Sequence, residues 1–510
     1  MNFCSTVTTM FSILRTRSLV LIMLGGYTLI TKDIVEFLKN YKIAIEEASA
    51  AVFAGAGLSK PAGFVDWKEL LREIAEEISL NIDKESDLIA VAQYHVNESG
   101  GNRGKINQAL VDEFTKDAEF TENHKILSRL PINTYWTTNY DTLIEEALKS
   151  EGKRIDSKIT TENLAITKSN CDAKIYKMHG DISLPHDAVL TKDDYENYNS
   201  KRQLFTTALQ GDLVSKTMLF IGFSFDDPNL EYILSRIRIL LEQNKRTHYC
   251  FMKRVQRKDF ADETEFQYAE IKQKLKVNDL KRYSIKVLLV NNYPDITTIL
   301  EELERQYKRK NIFISGSASN YGNWGEKRCL EFASNLSKAI IKNDNNIVTG
   351  FGLGVGSCII SGALEEIYKT RSQRVEERLI SRPFPQNTTG QMPLKELWTK
   401  HRNNMIQNVG ISIFIFGNKI DTSTGEVTQA SGMIEEFEIS LSRGTVPIPI
   451  GATGFTAKEI WEIVIREFDR CVSNPDLKEL FNSLGDETQS DEALIKTVIE
   501  IVNKLSNRNK

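Results

Sequence analysis

Short apolar runs alternate along this chain with segments whose apolar positions recur every three or four residues. Residues 50–54, 134–138, 174–178, 218–222, 248–252 and 285–290 read as strands, most of them apolar enough to be buried. Helical spacing predicts an amphipathic helix from 32 to about 46. It predicts another over 67–79, where Trp67, Leu70, Leu71, Ile74 and Ile78 share a face. A further helix is predicted at 144–149, and Asp227-Pro228-Asn229 is a start signal for one over 230–243. After Lys308-Arg309-Lys310 the pattern restarts. Strands are predicted at 312–314, 346–349, 378–382, 411–416 and 446–450, with a helix at 326–341 and others in the remaining gaps. Strand–helix alternation of this kind builds doubly wound parallel sheets. The fold class is therefore α/β, with two Rossmann-like domains over 32–308 and 309–510, and the charge run between them is expected to be a solvated linker.

Composition narrows the class without naming a function. At 510 residues the chain has room for two to four cores. A net charge of −4 argues against a general nucleic-acid binder. The six cysteines (Cys4, Cys171, Cys250, Cys329, Cys358 and Cys471) form no Cys-x-x-Cys pair, which points to reduced thiols in a cytoplasmic protein. Residues 1–31 are expected to be an N-terminal extension. The run from Leu19 to Gly26 follows Arg15 and Arg17 as in a signal peptide. No small-x-small cleavage site precedes Lys32, and the apolar stretch to Ile30 is too short to cross a bilayer, so no stable membrane association is expected.

The candidate chemistry lies where strands end. Gly55-Ala56-Gly57-Leu58-Ser59 follows the first strand, Thr137-Thr138-Asn139-Tyr140-Asp141 ends the second, and His179-Gly180-Asp181 follows the strand at 174–178. A glycine pair lets backbone N–H groups approach a pyrophosphate at the start of a helix, so Gly55, Ala56, Gly57 and Ser59 are candidates to cradle one. Asn139 can hydrogen-bond a ribose or fix an attacking water. His179 can accept a proton, because imidazole titrates near neutrality. Tyr140 and Phe64 are read as pocket walls, and His95, His124, His186, His248 and His401 as structural. In the second half, Gly350-Phe351-Gly352-Leu353-Gly354-Val355-Gly356 lies between a strand and a helix, where such a loop can wrap phosphate oxygens. Ser315-Gly316-Ser317 closes the preceding strand and is expected to border the same crevice.

The ordered trio Gly-Ala-Gly-x-Ser, Asn-x-Asp and His-Gly resembles the sirtuin family, whose pocket takes NAD. That resemblance implies that Asp141 recognises the nicotinamide carboxamide and that Gly222 and Ser224 match the Gly-x-Ser element near the ADP portion. Sirtuin deacylases usually carry a four-cysteine zinc module after the His-Gly strand. Here Cys250 stands alone, so no metal is expected, and NAD-dependent protein deacylation is the alternative rather than the lead. The second half resembles the SLOG family of nucleotide-derived ligand sensors and phosphoribohydrolases. It lacks the Pro-Gly-Gly-x-Gly-Thr loop of the hydrolysing branch, having Ala430-Ser431-Gly432-Met433-Ile434-Glu435-Glu436 at the nearest place, which favours ligand binding without hydrolysis.

From about Asp33 the pair of domains resembles the ThsA-type effectors of the bacterial Thoeris anti-phage system. Gly-Asn-Arg-Gly at 101–104, the stretch 135–141 and the stretch 350–357 carry the likeness. It implies an NAD+ glycohydrolase that releases nicotinamide and ADP-ribose and depletes NAD+ to abort infection. Its activator would be a cyclic ADP-ribose isomer made by a TIR-domain partner. It also implies a homo-oligomer, tetrameric or larger, and places ligand contacts of the second domain on Arg402, Lys419 and Glu436, beside Ser315, Gly316, Ser317, Gly352, Leu353 and Gly354. Two cations for a pyrophosphate and a carboxylate for ribose hydroxyls suit that ligand. A third reading is a scaffold that uses both pockets only to assemble with partners.

Overall fold

The computed structural model describes residues 31–506 apart from 226, 242–245, 371–373, 388–389, 422–423 and 473. The expectation for residues 1–31 thus lies almost wholly outside the described residues. The chain divides into two compact units, the first ending at Glu304 and the second beginning at Arg305.

The first unit is built on seven parallel strands: β1 (Ala50–Ala54), β2 (Thr134–Thr137), β3 (Ile155–Lys158), β4 (Ala173–Lys177), β5 (Thr217–Ile221), β6 (His248–Lys253) and β7 (Ile285–Val290). Their order is β3-β4-β2-β1-β5-β6-β7, so consecutive crossovers leave β1 on one side and return on the other. The crevice between β1 and β5 is the switch point where such sheets bind ligands. Every residue of β1 and β5 is buried, as parallel strands covered by helices on both faces require. The strand β3 escaped the apolar pattern for a physical reason. Its inward positions are Asp156 and Lys158, which neutralise each other at 2.8 Å with both side chains only 3% exposed.

The helix expected over 67–79 is two, Trp67–Leu70 and Arg72–Glu77, broken at Leu71. Both halves keep their apolar residues on one face, so periodicity does not register the break. Asp227 does start a helix, Pro228–Leu241, with Oδ1 accepting the Leu230 N–H at 2.9 Å.

The second unit has five parallel strands, β8 (Asn311–Ser317), β9 (Asn346–Thr349), β10 (Leu379–Ser381), β11 (Ile411–Phe416) and β14 (Val446–Pro449). The order is β10-β9-β8-β11-β14. An antiparallel pair, β12 (Asn418–Ile420) and β13 (Val427–Gln429), follows β11. Pro447 and Pro449 are tolerated in β14 because it is the edge strand and pairs with β11 alone within its sheet. The charge run is not a solvated linker. Lys308 ends the helix Pro294–Lys308, Arg309 donates to the Leu505 carbonyl, and Lys310 pairs with Asp344 at 2.7 Å immediately before β8.

Candidate functional site

The glycine loop after β1 is interlocked with the end of β5. Gly55 N–H donates to the Ile221 carbonyl at 3.0 Å and Gly57 N–H to the Gly222 carbonyl at 2.9 Å. A Cβ on Gly222, whose φ is +65°, would stand 2.2 Å from Leu58 N, and one on Gly57 would stand 2.8 Å from Gly222 Cα. These glycines let two backbones touch, and both loop N–H groups already have protein acceptors. Ser59 is also engaged, since its buried hydroxyl accepts from Asn139 Nδ2 at 2.9 Å. Ser224 is exposed on the loop beyond Gly222.

Asn139 is fixed from three directions. Its N–H donates to Thr137 Oγ1 at 2.9 Å, and Nδ2 donates to the Gly55 carbonyl at 3.1 Å as well as to Ser59. The side-chain oxygen has no partner among the described residues and is left to accept a hydrogen bond. Two residues on, Asp141 Oδ1 accepts the Leu143 N–H at 3.1 Å, while Oδ2 is buried without a hydrogen-bond donor. A buried carboxylate oxygen left open is costly in a finished fold and suits a ligand N–H.

His179, delivered by β4, faces a carboxylate that no motif announced. Its Nε2 is 3.1 Å from Asp227 Oδ2, off the line of an aligned hydrogen bond. Tyr195 donates to the same oxygen at 3.3 Å and presents its ring edge-on to the imidazole at 5.6 Å. Burial works to raise the Asp227 carboxyl, but the His179 charge and the hydrogen bonds it receives overcome this and hold it below the usual carboxylate range. The segment after His179 is pinned. Val189 N–H donates to the His179 carbonyl at 2.9 Å, Tyr140 OH to the Val189 carbonyl at 2.8 Å, and Arg103 Nη2 to the Ala188 carbonyl at 2.8 Å. Arg103 is thus the working part of the Gly-Asn-Arg-Gly run.

Beneath the site lies Lys177, fully buried. It donates to the carbonyls of Tyr140 and Asp141, pairs with Asp181, and lies 3.6 Å from Glu145. Burial disfavours its charge, yet Glu145, Asp181 and Asp141 hold its ammonium above the ordinary lysine range. Lys177 so ties the Asn-Tyr-Asp and His-Gly-Asp turns together. Asn139, Asp141 and His179 are 7%, 4% and 5% exposed, so all three are buried. Among the described residues, no cluster of three or more His, Cys, Asp or Glu could hold a metal ion, and Cys250 is a buried thiol pushed up to about 12.

The second unit holds an open cavity of about 460 Å³ at its own switch point, between β8 and β11. Ser315, Gly316, Ser317, Gly352, Arg402, Lys419 and Glu436 all line it. Leu353 and Gly354 do not. The Leu353 side chain is exposed and its carbonyl accepts the Ala318 N–H, while Gly354 packs on the Ala318 carbonyl. A Cβ on Gly352 would stand 1.7 Å from the Gly316 carbonyl oxygen, so only glycine fits there. The lining adds Phe384, Trp398, Lys395 and Glu435, which sequence reasoning missed. Glu436 accepts from Ser315 Oγ at 2.6 Å, and burial pushes its carboxyl up despite Arg402.

Comparison with known proteins matches this architecture. Residues 133–274 match the SIR2-like domain and residues 295–505 the Sir2- and TIR-associating SLOG family. This is a sirtuin-like fold joined to a SLOG domain. The chain is 50% identical over 473 residues to the NAD(+) hydrolase ThsA of Bacillus cereus (strain MSX-D12), covering 92% of this chain and 98% of that protein. It is 47% identical over 464 residues to the NAD(+) hydrolase ThsA of Acinetobacter baumannii (strain 532279), covering 90% and 96%. A more distant match, 26% over 250 residues, is the defense-associated sirtuin 2 of Bacillus subtilis, spanning 48% of this chain and 24% of that one. The chain belongs to the ThsA family of NAD(+) hydrolases. Among the described residues no helix is long and apolar enough to cross a membrane.

Proposed function

We propose that the first domain hydrolyses NAD+ to ADP-ribose and nicotinamide in Thoeris anti-phage defence, and that a cyclic ADP-ribose isomer bound in the second domain switches it on. The observation that carries the chemistry is the meeting of Asn139, Asp141 and the His179–Asp227 pair at the carboxyl ends of one sheet. The open Oδ2 of Asp141 would accept the carboxamide N–H and orient the nicotinamide. Asn139 Oδ1 would hold the ribose or the attacking water. As the C1′–N bond breaks, nicotinamide leaves neutral with the bonding pair, and water adds its oxygen to the oxocarbenium-like C1′. The proton of that water passes to His179, whose ring Asp227 orients and whose charge it balances, and from there to solvent.

The second site would bind and not cut. Arg402 and Lys419 supply charge for a pyrophosphate, Glu436 an acceptor for ribose hydroxyls, and Trp398 and Phe384 apolar faces for a base. A resting state of low activity suits an enzyme whose substrate all of metabolism shares, and the messenger would come from a TIR-domain partner acting on a homo-oligomer. The test is nicotinamide release by the purified protein with and without a cyclic ADP-ribose isomer. Release only with the isomer is expected; full release without it overturns the gating, and none in either condition overturns the proposal.

A further inference from the structure

The second cavity already contains an occupant for its buried cation. Arg402 is nine-tenths buried, with its guanidinium 5.0 Å over the Phe384 ring. Nη1 donates to Glu435 Oε2 at 2.7 Å, whereas Nε lies 3.4 Å from Glu436 Oε1 and makes no hydrogen bond. The group also lies on the first turn of the helix Ser431–Ser442, because a Cβ on Gly432 would be 2.5 Å from Arg402 Nη2. A helix N-terminus attracts anions and repels cations. Arg402 therefore occupies an unfavourable place for a cation, and the carboxylates of Glu435 and Glu436 are what hold it there.

The two carboxylates differ in how readily they can leave. The Glu436 side chain is 9% exposed and tied to Ser315, whereas that of Glu435 is 28% exposed and tied through Thr399 Oγ1. From this geometry we infer that Glu435 is a built-in competitor for Arg402. It fills the guanidinium in the empty cavity, and a phosphate group of the ligand must displace it. A phosphate between Arg402 and the helix N-terminus satisfies both, which a neutral nucleoside cannot do. Displacement also unties the helix Leu394–Ile406, which carries Thr399 and Arg402, from the helix that carries Glu435. The inference rests on the reading that the cavity takes a pyrophosphate.

Calorimetric titration of the full chain with ADP-ribose and, separately, with adenosine tests it. Glu435→Gln should bind ADP-ribose about 10-fold more tightly than wild type, and adenosine no more tightly. Thr399→Val, which loosens Glu435 without removing it, should shift ADP-ribose in the same direction by less. Wild type that binds ADP-ribose, with a Glu435→Gln gain under about two-fold or an equal gain for adenosine, overturns the competitor alone. ADP-ribose binding by neither protein overturns the pyrophosphate reading of the cavity as well.

Discussion

At the carboxyl end of β1 the glycine loop is filled with protein, and at the carboxyl end of β8 the corresponding crevice is open. Both sheets place their first strand in the middle and reverse direction beside it, so topology gives each a binding crevice at the same point. In the first, Gly55 donates to the last residue of β5 and Gly57 to the residue after it, and Ser59 accepts from Asn139. In the second, Gly352 and Gly354 donate to no protein acceptor among the described residues, and Gly352 lines a cavity of about 460 Å³. The difference teaches that a glycine-rich loop marks where backbones must come close, not which neighbour they come close to. Only the hydrogen-bond partners separate a loop that packs from one that receives.

The contrast can be broken first at the chemistry. Asn139→Ala and His179→Ala should each lower NAD+ cleavage by at least about 100-fold, as losses of positioning or general-base groups do. Neither should abolish ligand binding in the second cavity. Near-normal nicotinamide release from either variant would remove the first site from the mechanism. The mirror experiment is Arg402→Ala, or separately Lys419→Ala. Each should weaken cyclic ADP-ribose binding by about 10- to 150-fold, the worth of one charge-assisted hydrogen bond, and remove activation. Glu436→Gln should be milder, since an amide keeps one acceptor. Titration beside a nicotinamide assay separates these from the catalytic variants.

Acid should also distinguish the domains. His124 and His248 are buried in the first, and the Nδ1 of each accepts a backbone N–H, from Thr121 and Met218, which fixes the neutral ring. Burial lowers both to about 4. Because the folded value lies below the unfolded one near 6.5, the unfolded chain takes up the proton first as pH falls. The stability is whole above pH 6.5 and lost progressively toward pH 4, about 2 kcal/mol for each ring by pH 5. Burial raises Glu436 in the second domain and Glu145 in the first alike, so each regains stability as that carboxyl takes a proton, and the two buried histidines make the difference. Hydrogen exchange resolved by domain at pH 7 and pH 5 should show the first loosening more than the second; equal loosening would contradict this. The smallest effect is expected at Asp227. Asp227→Asn should reduce turnover by roughly 10-fold, read as nicotinamide release at saturating NAD+.

What the sequence disclosed follows the same divide. Residues that end a strand and carry a motif, such as Asn139, His179 and Ser315, stand where the pattern put them. Partners from a non-adjacent strand were not legible. Asp227 read as a helix start because one of its oxygens does that work, and nothing in the chain marks the other for His179. Lys177 was not singled out within its strand, since only the fold brings Asp181 and Glu145 to it. Glu435 was quoted within its run but passed over for its neighbour, because exposure and pairing depend on the turn of the helix and not on residue type. The short pair β12 and β13, which carries Lys419, has too few apolar positions to show a period.

The interlock of Gly57 with Gly222 has a consequence for how this chain can change over generations. A methyl group at either position collides with the main chain of the other segment, so neither can drift first and wait for compensation. Two sites 165 positions apart are therefore inherited as a single character. Exhaustive single-substitution screening should find both intolerant, and pairwise screening should find no rescue between them.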